Sequence, residues 1–536
     1  MEGLLSIKWT DADSPDVNRI DRALYFDQSI MVRKILFLLT LTIAALCGAP
    51  RKPKLVVAIV VDQFRYDYLT RFRSEYSAGL DKLLTSGAVF TNARYEQFPT
   101  VTAVGHSTFL SGATPSISGI INNQWFERED GREVTSVSDP RTKLLGGTPG
   151  DGSSPERLLV STVGDELKIA HAGRPRVIGI SLKDRAAILP SGHMANGAYW
   201  FDSVTGNFVS STFYFADLPG WVKDFNQTHH ADKFAGASWL NHKMPLDLKQ
   251  LYSAMVASPF GNEMVESFAE RALEAEQLGK HQDPDVLTVS FSSNDYVGHE
   301  LGPDSPEVRE ISLRTDKVLG QFFQALDRQV GMANILIVMT ADHGVAPVPE
   351  KNHERRMPGG RIPAGTLTGA VQDALVKRYG DGKWIANSYE HSIYLNQGLI
   401  GQKKLDPAAV ERTAARAVLE VPHVFRVYTH EQLVNGTALE DQVGRRVMNG
   451  FYARRSADLE ILLEPYWLYA ASGTSHGTTF SYDAHVPVIF MGTGIRAGRY
   501  YQPVAVNDVA PTVAAILDVE TPSGSVGRVL SEIFGE

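Results

Sequence analysis

Four runs of continuous apolar, β-branched residues constrain this chain more than anything else in it. They are Lys54-Leu-Val-Val-Ala-Ile-Val-Val61, Arg176-Val-Ile-Gly-Ile-Ser181, Asp285-Val-Leu-Thr-Val-Ser-Phe291 and Asn334-Ile-Leu-Ile-Val-Met-Thr340. Apolar runs without polar alternation mark strands buried on both faces, as in a parallel sheet. Helical stretches separate them. Tyr68 to Ser86 is expected to be one helix, stopped by Gly87. Ser305-Pro306-Glu307 opens another, with an N-cap and Pro at the first helical position. It runs to Arg328 with Ile311, Val318, Leu319, Phe322 and Leu326 on one face. Val486-Pro-Val-Ile-Phe-Met491 is a further strand, and Asn507 to Leu517 a closing helix. Strands alternating with helices predict an α/β fold: a mostly parallel central sheet with helices on both faces.

The 536 residues, 43% hydrophobic, give ample length for a large core, and length alone suggests about three domains. The scatter of candidate site residues from Asp62 to His476 argues instead for one catalytic domain over 50–536. Insertions are expected near 186–260 and 350–460. The first is dense in aromatics from Tyr199 to Trp239, and is either a cap segment over a site or a second packed layer.

Residues 1–30 are polar and patternless, and are expected to be an upstream extension. Met31-Val-Arg-Lys, the apolar run Ile35 to Leu46 and Cys47-Gly-Ala-Pro50 form a signal peptide over 31–49, too short in its apolar part to span a bilayer. Cleavage after Ala49 leaves a mature chain with no transmembrane span; a short membrane anchor left uncut is the second reading, and a lipid anchor on Cys47, with Leu46 a poor residue before it, the weaker one. Cys47 is the single cysteine, so there is neither a disulfide framework nor a cysteine zinc site. Export without disulfides suits a bacterial periplasm or exterior. The net charge of −9 offers no basic footprint for nucleic acid. A monomer is expected.

Three of the buried strands lead into an acid: Asp62, Asp342, and Asp295 after a short loop. Ligands gather at the carboxyl ends of strands in open α/β sheets. Asp295 and His299 are spaced i, i+4 and would share a helix face. His343 adjoins Asp342, and His476 lies in a glycine-flanked loop. Singly, each has an ordinary reading as a cap or a polar core residue. Together they are six ligands of the kinds that hold zinc-like ions in catalytic sites, enough for two ions with open positions. The stretch Tyr95 to Asn123 adds a turn and a short helix, capped by Thr100 or Thr102 and ended by Gly112. It sets a hydroxyl at a helix N-terminus, where an anion is favoured.

These motifs resemble the alkaline phosphatase superfamily, and within it the single-chain bacterial alkaline phosphatases with a threonine nucleophile, related to nucleotide pyrophosphatase/phosphodiesterases. The resemblance rests on Asp62, Phe98-Pro-Thr-Val-Thr102-Ala-Val-Gly-His106, Gly119-Ile-Ile-Asn-Asn123, Lys183-Asp-Arg185, Asp295-Tyr-Val-Gly-His299, Asp342-His343-Gly344 and Thr474-Ser-His476-Gly477, and covers roughly residues 52 to 532. It implies two Zn2+ ions, with Thr102 as nucleophile. One ion would be held by Asp62, Asp342 and His343 and activate Thr102; the other would be held by Asp295, His299 and His476 and steady the leaving oxygen. It also implies a phosphothreonine intermediate and small phosphate esters as substrates. Asn123, Lys183 and Arg185 would bind the phosphoryl group, with Lys183 and Arg185 pointing the same way from an extended segment. Their charge favours the doubly charged monoester over the diester. His106 is assigned a packing role, stabilising the turn.

Other readings differ at named features. A phosphodiesterase or nucleotide pyrophosphatase on the same site is opposed by the Lys183/Arg185 pair. A sulfatase would need a Cys/Ser-x-Pro-x-Arg motif, which is absent at Thr102. A metal-binding protein without catalysis leaves Thr102 between two ligand groups unexplained.

Overall fold

The structure, a computed structural model, describes residues 52–438 and 441–535. The expectations for 1–30, for the signal at 31–49 and for Cys47 lie outside the described residues.

The principal strands, in chain order, are β1 (Leu55–Val61), β2 (Ala88–Phe90), β3 (Ser138–Leu145), β4 (Asp151–Ser153), β5 (Val177–Ser181), β6 (Gly197–Asp202), β7 (Asn207–Ser211), β8 (Asp285–Phe291) and β9 (Ile335–Thr340). Four strands of a second sheet follow: β10 (Ile385–Tyr389), β11 (Ser392–Leu395), β12 (Val424–Thr429) and β13 (Leu459–Leu463). Then come β14 (Val488–Gly492) and β15 (Gly498–Tyr500).

Among the described residues, eleven strands form one sheet in the order β15-β2-β14-β9-β1-β8-β5-β6-β7-β3-β4. The middle five, β9 to β6, are parallel. β14 runs antiparallel to β9, and β2 antiparallel to β14. β7, β3 and β4 extend the other edge antiparallel. The sheet is therefore parallel at its centre and mixed at its flanks. The run 486–491 gave no sign of its direction because a strand buried on both faces reads the same either way.

Every residue of β1, β8 and β9 is buried, which is why these strands carry no polar alternation. Each Val or Ile so buried contributes about 1.5–3 kcal/mol. The register matters for the site. Val61 pairs with Phe291 and Val60 with Thr340, so the three strands end level. The Asp62 amide donates to Phe291 O at 3.1 Å, carrying the ladder one residue further.

The principal helices are α1 (Thr102–Ser111), α2 (Asp184–Ile188), α3 (Pro259–Ala275), α4 (Ser293–Leu301), α5 (Pro306–Gln329), α6 (Thr366–Tyr379), α7 (Pro407–Leu419) and α8 (Val509–Leu517). α3 packs on α5 and against β5 and β8, while α1 packs on α2 and α8. Ser305 caps α5, its side chain accepting the Val308 amide at 3.1 Å. The expected single helix from 68 to 86 is instead two, Tyr66–Arg71 and Gly79–Ser86. The break has a tertiary cause. Asp316 of α5 accepts the backbone amides of Ser77, Ala78 and Leu80 at 2.9, 3.0 and 2.7 Å. It starts the second helix in place of a local cap.

The aromatic stretch from Tyr199 to Trp239 forms a packed layer of the main body, not a cap. Tyr199, Phe208, Trp221 and Phe225 surround Phe268 of α3 with ring centroids 3.9–5.5 Å apart. The segment 350–460 carries the second sheet, in the order β10-β11-β13-β12. That sheet packs α6 and α7 around Val371, Leu375, Trp384, Val410 and Ile461, a core of its own.

Candidate metal-dependent active site

At the level ends of β1 and β9 stand Asp62 and Asp342, both essentially inaccessible. Beyond β8 the chain turns directly into α4, whose first turn carries Asp295 and whose last carries His299. Gln63 ties the three acids together. Its amide donates to Asp342 Oδ1 at 2.9 Å, and its side chain to Asp295 Oδ1 at 2.7 Å. Ser290 of β8 donates to Asp62 Oδ1 at 2.7 Å.

Asp342 Oδ2 is buried without a hydrogen-bond partner, and Asp62 Oδ2, also buried, faces the Lys183 ammonium at 3.0 Å. Buried acceptors are ordinarily satisfied, so these two fit a cation. The histidines fit one too. His343 Nδ1 donates to Gly344 O, His299 Nδ1 to Thr474 O and His476 Nδ1 to Thr100 O, each at 2.9 Å. A carbonyl can only accept, so each Nδ1 carries a proton and donates it, and each Nε2 faces inward, where a bound ion would replace any proton it carries, the usual support for a metal-bound imidazole. His299 Nε2 lies 3.2 Å from both Asp295 Oδ1 and His476 Nε2. His343 Nε2 lies 3.2 Å from Asp342 Oδ2.

Asp295, His299 and His476 thus form one compact group. A second compact group is Asp62, His106 and Asp342. His106 is closer to the site than its packing role implied, 3.5 Å from Asp62 Oδ1 and 3.6 Å from Asp342 Oδ2. Both its nitrogens are nonetheless engaged, Nδ1 with Thr102 O at 2.9 Å and Nε2 with Ser290 Oγ at 3.0 Å. His106 therefore braces the two acids and the start of α1, and His343 supplies the inward nitrogen.

Thr102 is the first residue of α1, and the N-cap is Val101 without a side-chain bond. Neither threonine caps the helix. Thr100 donates its hydroxyl to Thr478 O at 2.8 Å. Thr102 Oγ1, spared that task, lies 3.4 Å from His343 Nε2. Gly112 ends the helix in the left-handed region at φ 67°. Gly105 lets α1 touch the end of β9, since a Cβ there would collide with the Asp342 backbone. Asn123 Oδ1 accepts the Ala103 amide at 2.9 Å and so sits at the same helix start.

Lys183 and Arg185 differ from expectation in local structure. Lys183 is the N-cap residue of α2 and Arg185 is already helical, so they do not alternate on an extended segment. Lys183 Nζ bridges the two groups, 2.7 Å from Asp295 Oδ2 and 3.0 Å from Asp62 Oδ2. Arg185, with an unpartnered Nε, lines a cleft of about 480 Å³ together with Asn123, His299 and His476.

Charge follows from this packing. Burial alone would lower the Lys183 pKa, but Asp295 and Asp62 outweigh it and hold the ammonium form. Burial would raise Asp295, yet Lys183 and His299 keep it well below the usual carboxylate range. Against burial, Asp342 lifts His343 to about 9. Burial, with His343 and His299 nearby, pushes His476 well down and keeps it neutral. Gln63, Ser290 and the cleft residues Glu390 and His391 carried no recognisable motif. Only their proximity in the fold reveals them.

Comparison with known proteins agrees with this geometry. The family model for type I phosphodiesterase / nucleotide pyrophosphatase matches residues 56–484. Alkaline phosphatase PhoV of Synechococcus elongatus is 37% identical over 90% of this chain and 93% of its own. Alkaline phosphatase PafA of Elizabethkingia meningoseptica is 34% identical over 92% and 98%. The crystal structure of PafA superposes with a TM-score of 0.85 over 91% of this chain and all of that one. A second PafA structure is of a variant with one threonine, one asparagine, one lysine and one arginine replaced together. Its threonine-to-asparagine and lysine-to-arginine spacings equal those of Thr102 to Asn123 and Lys183 to Arg185 here. A Myroides odoratus protein, 34% identical over 90% and 94%, bears the name calcium-transporting ATPase. Among the described residues of this chain no helix is long and apolar enough to cross a membrane. By the extent of these matches, the chain belongs to the type I phosphodiesterase/nucleotide pyrophosphatase family of the alkaline phosphatase superfamily.

Proposed function

We propose that the protein is an exported, zinc-dependent alkaline phosphatase that hydrolyses small phosphate monoesters through Thr102. One observation carries the reading. Lys183 bridges Asp62 and Asp295, one acid from each of two ligand groups, within the same buried site as the helix start that presents Thr102. Asp62, Asp342 and His343 would hold one ion, and Asp295, His299 and His476 the other. Two such ions about 4 Å apart stabilise the attacking and the leaving oxygen of an in-line displacement.

The chain's own residues do the rest. α1 holds Thr102 Oγ rigidly at its first turn, and His106 fixes that turn through the Thr102 carbonyl. Thr102 Oγ attacks phosphorus, the ester P–O bond breaks, and the alcohol leaves with a proton. Water then cleaves the phosphothreonine, releasing inorganic phosphate and restoring the hydroxyl. Lys183, Arg185 and Asn123 bind the non-bridging oxygens. Two cations there favour a group with two charges over one with a single charge. Export rests on the pattern from Met31 to Pro50, and the protein acts as a monomer.

A second reading, hydrolysis of diesters, is favoured by the family model itself, whose description is of phosphodiesterases. The test is kcat/KM of the zinc-loaded mature protein for an aryl phosphate monoester and the matching diester at alkaline pH. A large preference for the monoester, lost on joint replacement of Lys183 and Arg185, is expected. Preference for the diester overturns the phosphatase reading and leaves that pair structural.

A further inference from the structure

Among the described residues ten other than glycine have a positive φ, and nine of these are half-buried or exposed. Gln63 is the tenth. It follows Asp62 directly, has φ 57° and is only 2% exposed. The left-handed region crowds the Cβ of an L-residue against its own backbone, so glycine or asparagine is the usual occupant. A buried glutamine held there, next to a candidate metal ligand, points to a use for its side chain.

The left-handed turn sends the two ends of Gln63 to different ligand groups. The Asp62 amide makes the last ladder bond of β1 toward β8, to Phe291 O. One residue on, the Gln63 amide leaves the ladder and donates to Asp342 Oδ1 beyond β9. The side chain runs to α4 instead. Its Nε2 donates to Asp295 Oδ1 at 2.7 Å and approaches Asp295 O at 3.4 Å. Both partners are acceptors, which fixes the amino end of the carboxamide toward Asp295. Lys183 holds Asp295 Oδ2 at 2.7 Å, and Asp295 Oδ1 lies 3.2 Å from His299 Nε2. With Lys183 on one oxygen and Gln63 on the other, the carboxylate cannot pivot, and its Oδ1 stays turned to the histidine. α4 makes room for this grip at Gly298. The three atoms that a Cβ there would meet first all belong to Gln63, and Oε1 would collide with it. A larger residue at 298 drives the carboxamide away from Asp295.

We propose that Gln63, admitted by Gly298, is the positioning residue of the Asp295, His299 and His476 group, and that its side chain sets the affinity of one ion of the two. This rests on the two-ion reading above. The other group keeps its contact with Gln63 whatever the side chain, because the donor to Asp342 is the backbone amide.

Gln63→Met keeps the shape of the side chain and removes its donor. The measurement is a zinc titration of the metal-stripped chain in competition with a chromophoric chelator, which separates the ions by affinity. One ion should bind about 10- to 100-fold more weakly than in the wild type, the usual effect of losing a hydrogen bond to a metal ligand, and the other within about threefold. Equal weakening of both ions, or of neither, overturns the proposal. In a His299→Ala background, where the Asp342 group alone binds tightly, Gln63→Met should leave the remaining ion unchanged; a loss there overturns the assignment to Asp295. Gly298→Ala supplies a measurement with residue 63 intact. It should weaken the same ion as Gln63→Met does, but by less than about threefold in the Gln63→Gly background, where the clash is gone. A loss that persists in that background overturns the part given to Gly298. If the wild type binds a single zinc, the two-ion reading falls. If it binds two and neither variant separates them, the positioning role alone falls.

Discussion

Lys183→Met separates the two roles that the structure gives this lysine. Its Nζ lies 2.7 and 3.0 Å from carboxylates of Asp295 and Asp62, and all three side chains are at most 7% exposed. Removing one partner of a buried ion pair leaves an uncompensated charge and costs about 3–5 kcal/mol. Methionine preserves most of the stem's packing, so little of that cost is steric. The full loss is expected in protein stripped with a chelator. With two divalent ions bound, Asp62 and Asp295 have other cations beside them, and the loss should shrink to about 1 kcal/mol. Closing the thermodynamic cycle, the difference of about 2–4 kcal/mol must reappear as tighter metal binding, about 30- to 1,000-fold summed over both ions. Denaturant unfolding in chelator and in zinc measures the first half, and a competition titration with a chromophoric chelator the second. Monoester hydrolysis should nevertheless fall, because a phosphoryl contact is gone. An equal stability loss with and without metal, or unchanged metal affinity, would refute the bridging role.

Thr102→Ala should fold, bind metal as the wild type does and lose hydrolysis by more than about 1,000-fold, while Thr102→Ser keeps part of it; an active alanine variant would remove Thr102 as nucleophile. Glu460 offers a pH test away from the metal groups. It is buried beneath Ser392, and burial pushes its pKa from 4.5 up to about 7. Its neutral form therefore supports the fold fully below pH about 4.5, and that support is lost as pH rises through about 7. Glu460→Gln cannot ionise, so its stability relative to wild type should grow between pH 4.5 and 7 by on the order of 3 kcal/mol. Parallel stability curves in urea over that range would count against it.

What the sequence disclosed, and what it hid, follows from where the determining contacts lie. β1, β8 and β9 were legible because a strand buried on both faces must be written in apolar residues, and the acids that follow it stand out. β3, with the polar run Ser138 to Lys143, joins the same sheet without any such signature, since its place next to the edge strand β4, far from the buried centre, leaves several side chains exposed. The helix expected from 68 to 86 failed at Ser77 and Ala78 because Asp316, more than two hundred residues away, takes their amides. No local rule contains that contact. Thr102 was legible as a hydroxyl at a helix start, but its freedom from capping depends on Thr100 finding Thr478 instead. The six candidate ligands were readable as residue types near strand ends and in a loop, whereas His391 looks like any other histidine until the fold sets it against Gly477.

The two halves of the cleft are consequently under different constraints. Asp62 and Asp342 are fixed by the register of β1 and β9, and Asp295 by the turn of α4 directly off β8. A one-residue slip in that register would move these acids off their shared strand ends and force every buried Val and Ile to repack, so the candidate ligands cannot shift without the core shifting too. Glu390 and His391 sit instead on a hairpin whose sheet has its own apolar core around Val371, Trp384 and Ile461. Their identity can change without touching the strands that carry the acids. The candidate ligand groups and this wall of the cleft are therefore separable in this chain: the first are set by the central parallel strands, the second by the tip of an inserted sheet.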